Sequence, residues 1–506
     1  MKRTYKASLT FLSKILEQLA RLLVNFIVIP LIVGGLGQSL YGVWRMIIQS
    51  IGYLSTSDLR PMATLKYTLA VRQHKDDINE KKRQIGAAII VWFIALPVFC
   101  VVGFFVVSYF PLIVDVTTHN LSVIKIALLI MVIGTAMDRI FSLPANILRG
   151  MNQEYQAMGL NAIMVIVSGG LIVLAMHMKS GLIGLAVATI LGLLLSGMVR
   201  FVVAKRILSW IGILKPYPQE LLRFLKLSFW LFLLGISELV LYRSDILLVG
   251  ILGGPTLAAV YSLTNSIFLL LGTQVEQIIY ASMPGVAGIC GTKNWPLLNK
   301  IRYELFIIGF SAMSFLGIFA VLFNRSFLEL WVGESFYGGG ALTLLLAIVA
   351  FENFFLRVQS AISDSLLAFR ERTLINSVSG LIVVILAIAL FNVLGAIGIV
   401  IAYLVAKLVL LFQIEYFLRK MIPIEFTINR FLIVRKIYFV APLIMIAYWA
   451  RNLFKADNWI NFIAISVIAS LFIIPLVAYL GLSASERKLL FDRLGILWKR
   501  LNVGVR

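Results

Sequence analysis

Fourteen apolar stretches, each about twenty residues or longer, recur along the chain and leave little between them. They lie near 9–35, 40–65, 85–111, 121–148, 155–177, 181–204, 223–252, 256–286, 303–324, 340–367, 373–392, 395–418, 433–450 and 458–480. As helices rising 1.5 Å per residue, all are long enough to cross a hydrocarbon core of roughly 30 Å. The pattern predicts an all-α polytopic membrane protein with 14 transmembrane helices and no soluble domain. Its chemistry must then take place inside or across a bilayer.

Composition agrees, because 61% of the residues are hydrophobic and 13% charged, too few to coat a soluble fold. A net charge of +22 would suit a nucleic-acid partner, but the positions of the 45 Lys and Arg exclude that reading. Most lie on the N-terminal tail, the connections after even-numbered stretches and the C-terminal tail. The opposite connections carry only Lys179, Arg325, Arg451 and Lys455. This asymmetry is the positive-inside rule and places both termini in the cytosol. Anionic lipid headgroups are natural partners for the basic face.

The first stretch follows Lys2, Arg3 and Lys6 as a signal peptide would. It contains Lys14, Glu17 and Arg21 and lacks a small-residue cleavage site, so it reads as a retained helix. Cys100 and Cys290 are far apart, and His74, His119 and His177 stand singly. Neither a disulfide framework nor a metal or cofactor site follows from them.

The chain resembles itself at an offset of about 215 residues, the kind of period that marks a duplicated unit. Gly181-Leu-Ile-Gly184-Leu-Ala-Val-Ala188 opens the sixth stretch, and Gly395-Ala-Ile-Gly398-Ile-Val-Ile-Ala402 opens the twelfth. Leu36-Gly37 through Trp44 matches Leu252-Gly253 through Tyr261 with one residue inserted. Leu148-Arg149-Gly150 has a loose counterpart at Leu366-Leu367-Ala368. Six spans per repeat is even, so the two lobes should be related by a pseudo-twofold axis along the membrane normal. The expected divisions are residues 1–210 for helices 1–6, 211–422 for helices 7–12, and 423–506 for two extra C-terminal helices with a basic cytosolic tail.

Ionisable residues within spans are costly and usually face the interior. Lys66, Arg60 and Lys125 lie near span ends, where they can snorkel. Lys14, Glu17, Arg21 and Asn25 form one stripe on the first helix, and Arg45, Gln49, Gly52 and Thr56 share a face of the second. The seventh offers Glu238, Tyr242 and Asp245; the eighth offers Tyr261, Asn265, Gly272 and Glu276. Repeat symmetry would gather these four helices around a central cavity. A second group, Glu352, Arg357, Gln359 and Asp364, lies on the tenth helix, where Arg357 and Asp364 at i+7 fit a locking pair. Lys407 stands alone on the twelfth. Arg replaces the hydration of a phosphate or diphosphate with planar paired donors, and Tyr, Asn and Gln suit sugar hydroxyls. The expected substrate-binding residues are Arg21, Asn25, Arg45, Gln49, Tyr242, Asn265 and Arg357. The expected ion-coupling residues are Glu17, Glu238, Asp245 and Glu276, which would bind H+ or Na+.

Leu36-Gly37-xxx-Tyr41-Gly42-Val43-Trp44 resembles the Leu-Gly-xxx-Tyr-Gly-x-Trp signature of bacterial O-antigen and polysaccharide flippases. Leu330-Trp331-Val332-Gly333 is similar to their Leu-Trp-Leu-Gly turn. The likeness covers the whole chain and extends to the multidrug, oligosaccharidyl-lipid and polysaccharide exporter superfamily. It implies a multi-pass inner-membrane protein, not an enzyme, that moves an undecaprenyl-diphosphate-linked oligosaccharide from the cytosolic to the periplasmic leaflet. Alternating access, ion coupling, and polysaccharide polymerase or chain-length proteins as partners belong to the same implication. Lipid II flippases carry arginines on their first two helices, and Arg21 and Arg45 resemble that pattern in placement. Other readings are a drug/ion antiporter or another lipid exporter of the same superfamily, or a membrane polymerase or ligase. A large outside loop would favour the last, and the outside connections here are short.

A topology test follows from the charge pattern. Reporter fusions after residues 75, 215, 295 and 425 should read as cytosolic, and fusions near 115, 179, 330 and 455 as periplasmic. A reversed reading at any of these sites would remove the 14-span arrangement.

Overall fold

A computed structural model describes residues 3–72, 77–114, 120–151, 153–366, 368–423 and 430–492. His74, His119 and Leu367, read in the sequence above, lie outside them. All regular structure among the described residues is helical. In chain order the helices are α1 (Arg3–Leu54), α2 (Pro61–Val71), α3 (Ile78–Ile113), α4 (Leu121–Phe141), α5 (Leu143–Gly150), α6 (Met158–His177), α7 (Gly181–Ile207) and α8 (Pro218–Arg243). There follow α9 (Asp245–Thr264), α10 (Ser266–Gly291), α11 (Trp295–Trp331), α12 (Gly340–Ser365), α13 (Phe369–Leu394), α14 (Ala396–Met421), α15 (Arg430–Ala450) and α16 (Trp459–Gly481). The chain forms two compact units, Met1–Ala259 and Val260–Arg506.

Among the described residues, 12 helical segments are long and apolar enough to cross a membrane. One of them, Leu16–Leu54, has 39 residues. At about 58 Å it is nearly twice the hydrocarbon thickness. Gly37 breaks it, with φ 75° and ψ 172°, values a side chain would resist. Gly254 breaks α9 in the same way, with φ 84° and ψ 167°. Gly254, rather than the neighbouring Gly253, is thus the residue that shares the conformation of Gly37. Gly181 and Gly395, paired in sequence, also share a left-handed backbone, with φ 61° and 58°.

Packing explains the Tyr41-Gly42-Val43-Trp44 run. A Cβ at Gly42 would lie 1.8 Å from the Pro255 carbonyl oxygen, so the two backbones meet directly. Tyr41, Val43 and Trp44 are buried around that contact. One turn on, Met46 fills the space over Gly250.

The second predicted span, 40–65, is not continuous. Helix α1 ends at Leu54, and residues 55–60 intervene before Pro61 opens α2. Ser55 and Ser57 hydroxyls donate to the Gly52 and Leu54 carbonyls at 2.7 Å. Leu59 and Arg60 are left-handed, with φ 60° and 50°. Pro61 disfavours a helical residue before it, and local hydroxyl bonds compete with the helix ladder, so the apolar pattern survives while the backbone breaks. Arg60, expected to snorkel, instead lies against Gly235 and donates to the Leu231 carbonyl of α8 at 3.4 Å. The fourth span is likewise divided, at Ser142 before Pro144.

In the second unit α11 is the spine. Its Phe306 and Phe310 stack on each other and pack against α12, Phe306 tilted on Phe355 and Phe310 edge-on to Phe351. Helices α15 and α16 are fixed to it at both ends. At one end Tyr303 of α11 donates to Glu486, which also accepts from Lys436 of α15 at 2.7 Å. At the other, the Ser326 hydroxyl meets the Phe454 carbonyl and the Ala456 N–H, and Phe323 packs edge-on against Phe454 and Phe462.

Candidate functional site

In the first unit, the stripe on the first leg of α1 is polar and open. The Arg21 guanidinium bonds Glu17 one turn back at 3.0 Å, and 52% of its side chain remains exposed. Asn25, one turn on, is half-buried, and the Lys14 side chain lies outside the described set. Glu17, expected to couple an ion, is engaged by Arg21. On the second leg, Arg45 and Gln49 are half-buried, and the Arg45 Nε is enclosed without a hydrogen-bond partner. Tyr53, one turn past Gln49, donates to the Leu239 carbonyl at 3.3 Å, which brings this leg beside the end of α8. Glu238 and Tyr242 occupy that end, half-buried, and Asp245 opens α9; each of the three has bonding partners. Asn265, Glu276 and Arg357 belong to the second unit.

Each unit contains an acid–arginine pair at the same sequence spacing. Arg139 of α4 faces Asp58 of the α1–α2 break at 3.3 Å and also donates to the Ser55 carbonyl at 2.8 Å. Arg357 of α12 bonds Glu276 of α10, again at 3.3 Å and again across 81 residues of sequence. Asp364, read in the sequence as its i+7 partner, holds Arg372 of α13. Arg139 and Asp58 were both visible as in-span charges. Their spacing, identical to that of Arg357 and Glu276, was the signal that could have paired them.

A second layer lies on α11, α12 and α14. Arg302, with 1% of its side chain exposed, donates Nη2 to Glu415 at 2.7 Å and to Gln359 at 2.6 Å. Arg419 flanks Glu415 at 3.2 Å. Sequence reading missed Arg302 and Glu415 because both fall near predicted span ends, where charges are ordinary. Lys407, read as solitary, is buried on α14 with its ammonium over the Tyr403 ring. Among the described residues no three His, Cys, Asp or Glu converge as a metal site.

Comparison with solved structures places this helix arrangement. An inward closed structure of the lipid II flippase MurJ superposes with a TM-score of 0.65 at 15% identity, covering 93% of this chain and 98% of that one. An inward-facing multidrug resistance MATE family transporter of the MOP superfamily gives 0.62 at 15% identity, covering 79% and 94%. Its outward-facing counterpart gives 0.57 at 16% identity, covering 81% and 95%. The chain shares the fold of these transporters. Its 12 apolar helical segments of spanning length mark a multi-pass membrane protein. No protein-family model matches the sequence, and no curated protein matches it either.

Proposed function

We propose that this chain is a flippase that carries an undecaprenyl-diphosphate-linked oligosaccharide, an O-antigen or other surface-polysaccharide repeat unit, across the inner membrane by alternating access. The observation that carries this reading is the likeness to a lipid II flippase over 93% of the chain, against 79% for the inward-facing multidrug transporter. The Tyr41-Gly42-Val43-Trp44 and Leu330-Trp331-Val332-Gly333 turns support the polysaccharide branch. In this reading the spans number 14: α1 counts twice across Gly37, α9 is shared between the seventh and eighth with α10 completing the eighth, and α15 supplies the thirteenth. Helices 1–6 and 7–12 form lobes related by a twofold along the membrane normal, both termini are cytosolic, and no reaction is catalysed. Cargo passes to a polymerase and chain-length partner. The multidrug reading is favoured by the transporter likeness but fits Arg21 and Arg45 on the first two spans less well.

Arg21 and Arg45 are proposed to hold the diphosphate, with Asn25, Gln49, Tyr242 and Asn265 on the sugars. Deleting the protein should leave lipid-linked oligosaccharide accumulated on the cytosolic leaflet. Arg21→Ala should insert normally and lose most export, because Arg21 is half-exposed and its bond to Glu17 is a surface pair worth about 0–1 kcal/mol. Arg21→Lys should restore part of it, since an ammonium keeps charge without the paired donors. Protein level and surface polysaccharide are measured together. Full export from Arg21→Ala protein present at normal level would eliminate the cargo role.

A further inference from the structure

The chain between α7 and α8, residues 208–217, is irregular and is held against α3 by three consecutive basic residues. Lys81 Nζ stands 5.7 Å from the centre of the Trp210 ring, and the Lys82 stem packs on Gly212. The Arg83 guanidinium lies 4.8 Å from the centre of the Tyr217 ring and bonds both Glu220 oxygens at 3.1 Å. The Leu214 N–H donates to the Lys82 carbonyl at 3.3 Å. A Cβ at Gly86 would lie 2.1 Å from the Leu214 carbonyl oxygen, so this strap touches the α3 backbone itself. That contact fixes its depth. Gly86 stands at the start of the apolar run near 85–111, and the strap joins the ends of two further spans, α7 and α8. It therefore runs along the edge of the apolar zone rather than out into water. Its inner side chains, Leu208, Trp210 and Ile211, pack into the core made with α2, α3 and α5.

The outer face of the strap combines apolar and basic groups. Ile213, Leu214 and Tyr217 are exposed, Ile213 by 67% and Tyr217 by 62%. Lys205, Arg206, Lys215, Arg223 and Lys226 are exposed on the strap and the helix ends it joins, and Lys82 is half-buried beside it. The acids of this end are engaged, Glu220 by Arg83 and Glu80 by Arg72, so the surface keeps a surplus of positive charge. From this geometry we infer that residues 208–217, with Lys82, form a docking surface for anionic phospholipid headgroups at the membrane surface. The cations complement the lipid phosphates, and their stems can lie along apolar surface while the charged ends reach the headgroups. Ile213, Leu214 and Tyr217 enter the layer between headgroups and acyl chains, where an aromatic ring with a polar tip is well placed. In the topology proposed above this is the cytosolic leaflet, which carries the negative surface potential. A soluble protein or a nucleic acid would answer the cations alone; the depth of the strap and its three exposed apolar side chains favour the bilayer. Such anchoring would hold this end of the first unit whatever cargo the chain carries.

Fluorescence quenching by lipid tests the surface on the full-length protein without any cargo. Ile213→Cys, in a Cys100→Ser, Cys290→Ala background, is labelled with bimane and reconstituted in phosphatidylcholine. Phosphatidylglycerol brominated at the top of its acyl chains is then added in steps. The label should be quenched, with a midpoint at a several-fold lower mole fraction than for phosphatidylcholine brominated at the same carbons. Lys215→Gln should raise the phosphatidylglycerol midpoint about fivefold, and Lys82→Gln with Lys215→Gln on the order of twentyfold. Lys455→Gln, on a different connection, should leave it in place. Equal midpoints for the two brominated lipids, or a midpoint unmoved by Lys215→Gln, overturns the inference. A label that stays unquenched overturns it too, and would leave the surface to a water-borne protein or nucleic acid. Should the double variant fail to fold because Lys82 packs on Gly212, the exposed Lys215→Gln decides alone. Export plays no part in the measurement, so failure of the flippase reading would leave its outcome untouched.

Discussion

Gly42→Val should abolish production of folded protein, and Gly42→Ala should lower its melting temperature sharply. A Cβ at this position would sit 1.8 Å from the Pro255 carbonyl oxygen and 2.5 Å from its carbon, and backbone cannot turn aside as a side chain can. Overpacking a close contact typically costs ~1–3 kcal/mol, and a clash with backbone lies at or above the top of that range. The contact joins the legs of two broken helices, so relief would have to shift α1 or α9 as a whole. Gly52→Ala is the control: it lies ten residues further along the same helix, and nothing stands within 4 Å of its added Cβ. Helix propensity alone then makes it neutral or slightly stabilising. Fluorescence-detected size exclusion after heating measures both. Equal melting of Gly42→Ala and Gly52→Ala would contradict the packing described.

The second large effect is expected at Glu486. Glu486→Ala would take from the Lys436 ammonium, 1% exposed, its carboxylate partner, while the neutral Gly481 carbonyl stays in place. Breaking one side of a buried pair costs about 3–5 kcal/mol, whereas replacing both sides by apolar groups is often neutral. Lys436→Met combined with Glu486→Leu should therefore recover most of the stability lost by the single change. The pair also predicts a pH dependence. Burial pushes the Glu486 carboxyl up, but hydrogen bonds from Lys436, Tyr303 and the Ser483 N–H outweigh it and hold the group below the ordinary carboxylate value. A depressed carboxylate stabilises the fold above its unfolded pKa, and that contribution disappears as pH falls through the folded value. The melting difference between wild type and Glu486→Gln should be full near neutrality and shrink in acid below the usual carboxylate range. A difference that grows on acidification would show the sign to be wrong.

The apolar stretches were legible because a bilayer imposes length and hydropathy on every crossing, and helices occupy nearly all of them. The break at 55–60 was not, since Ser55, Thr56, Ser57 and Asp58 interrupt the backbone ladder without interrupting the apolar run enough to register. Arg21, Asn25 and Arg45 were readable as charge and amide in the wrong solvent. The partner of each was not, because a stripe gives the direction of a side chain on its own helix and says nothing of which helix faces it. Arg357 illustrates this: it bonds Glu276, an acid 81 residues away in sequence on another helix. Glycines were the most faithful guides, since Gly37, Gly181 and Gly395 each mark a backbone that only glycine adopts readily.

The two pairs at one sequence spacing, Asp58 with Arg139 and Glu276 with Arg357, each close inside a single unit, so each unit balances its own buried charge. They differ in what surrounds them. One acid is an aspartate in a backbone break, shut away at 3% exposure, and the other a glutamate on an unbroken helix with 24% of its side chain open. Substitution should therefore be tolerated more readily at the second pair than at the first.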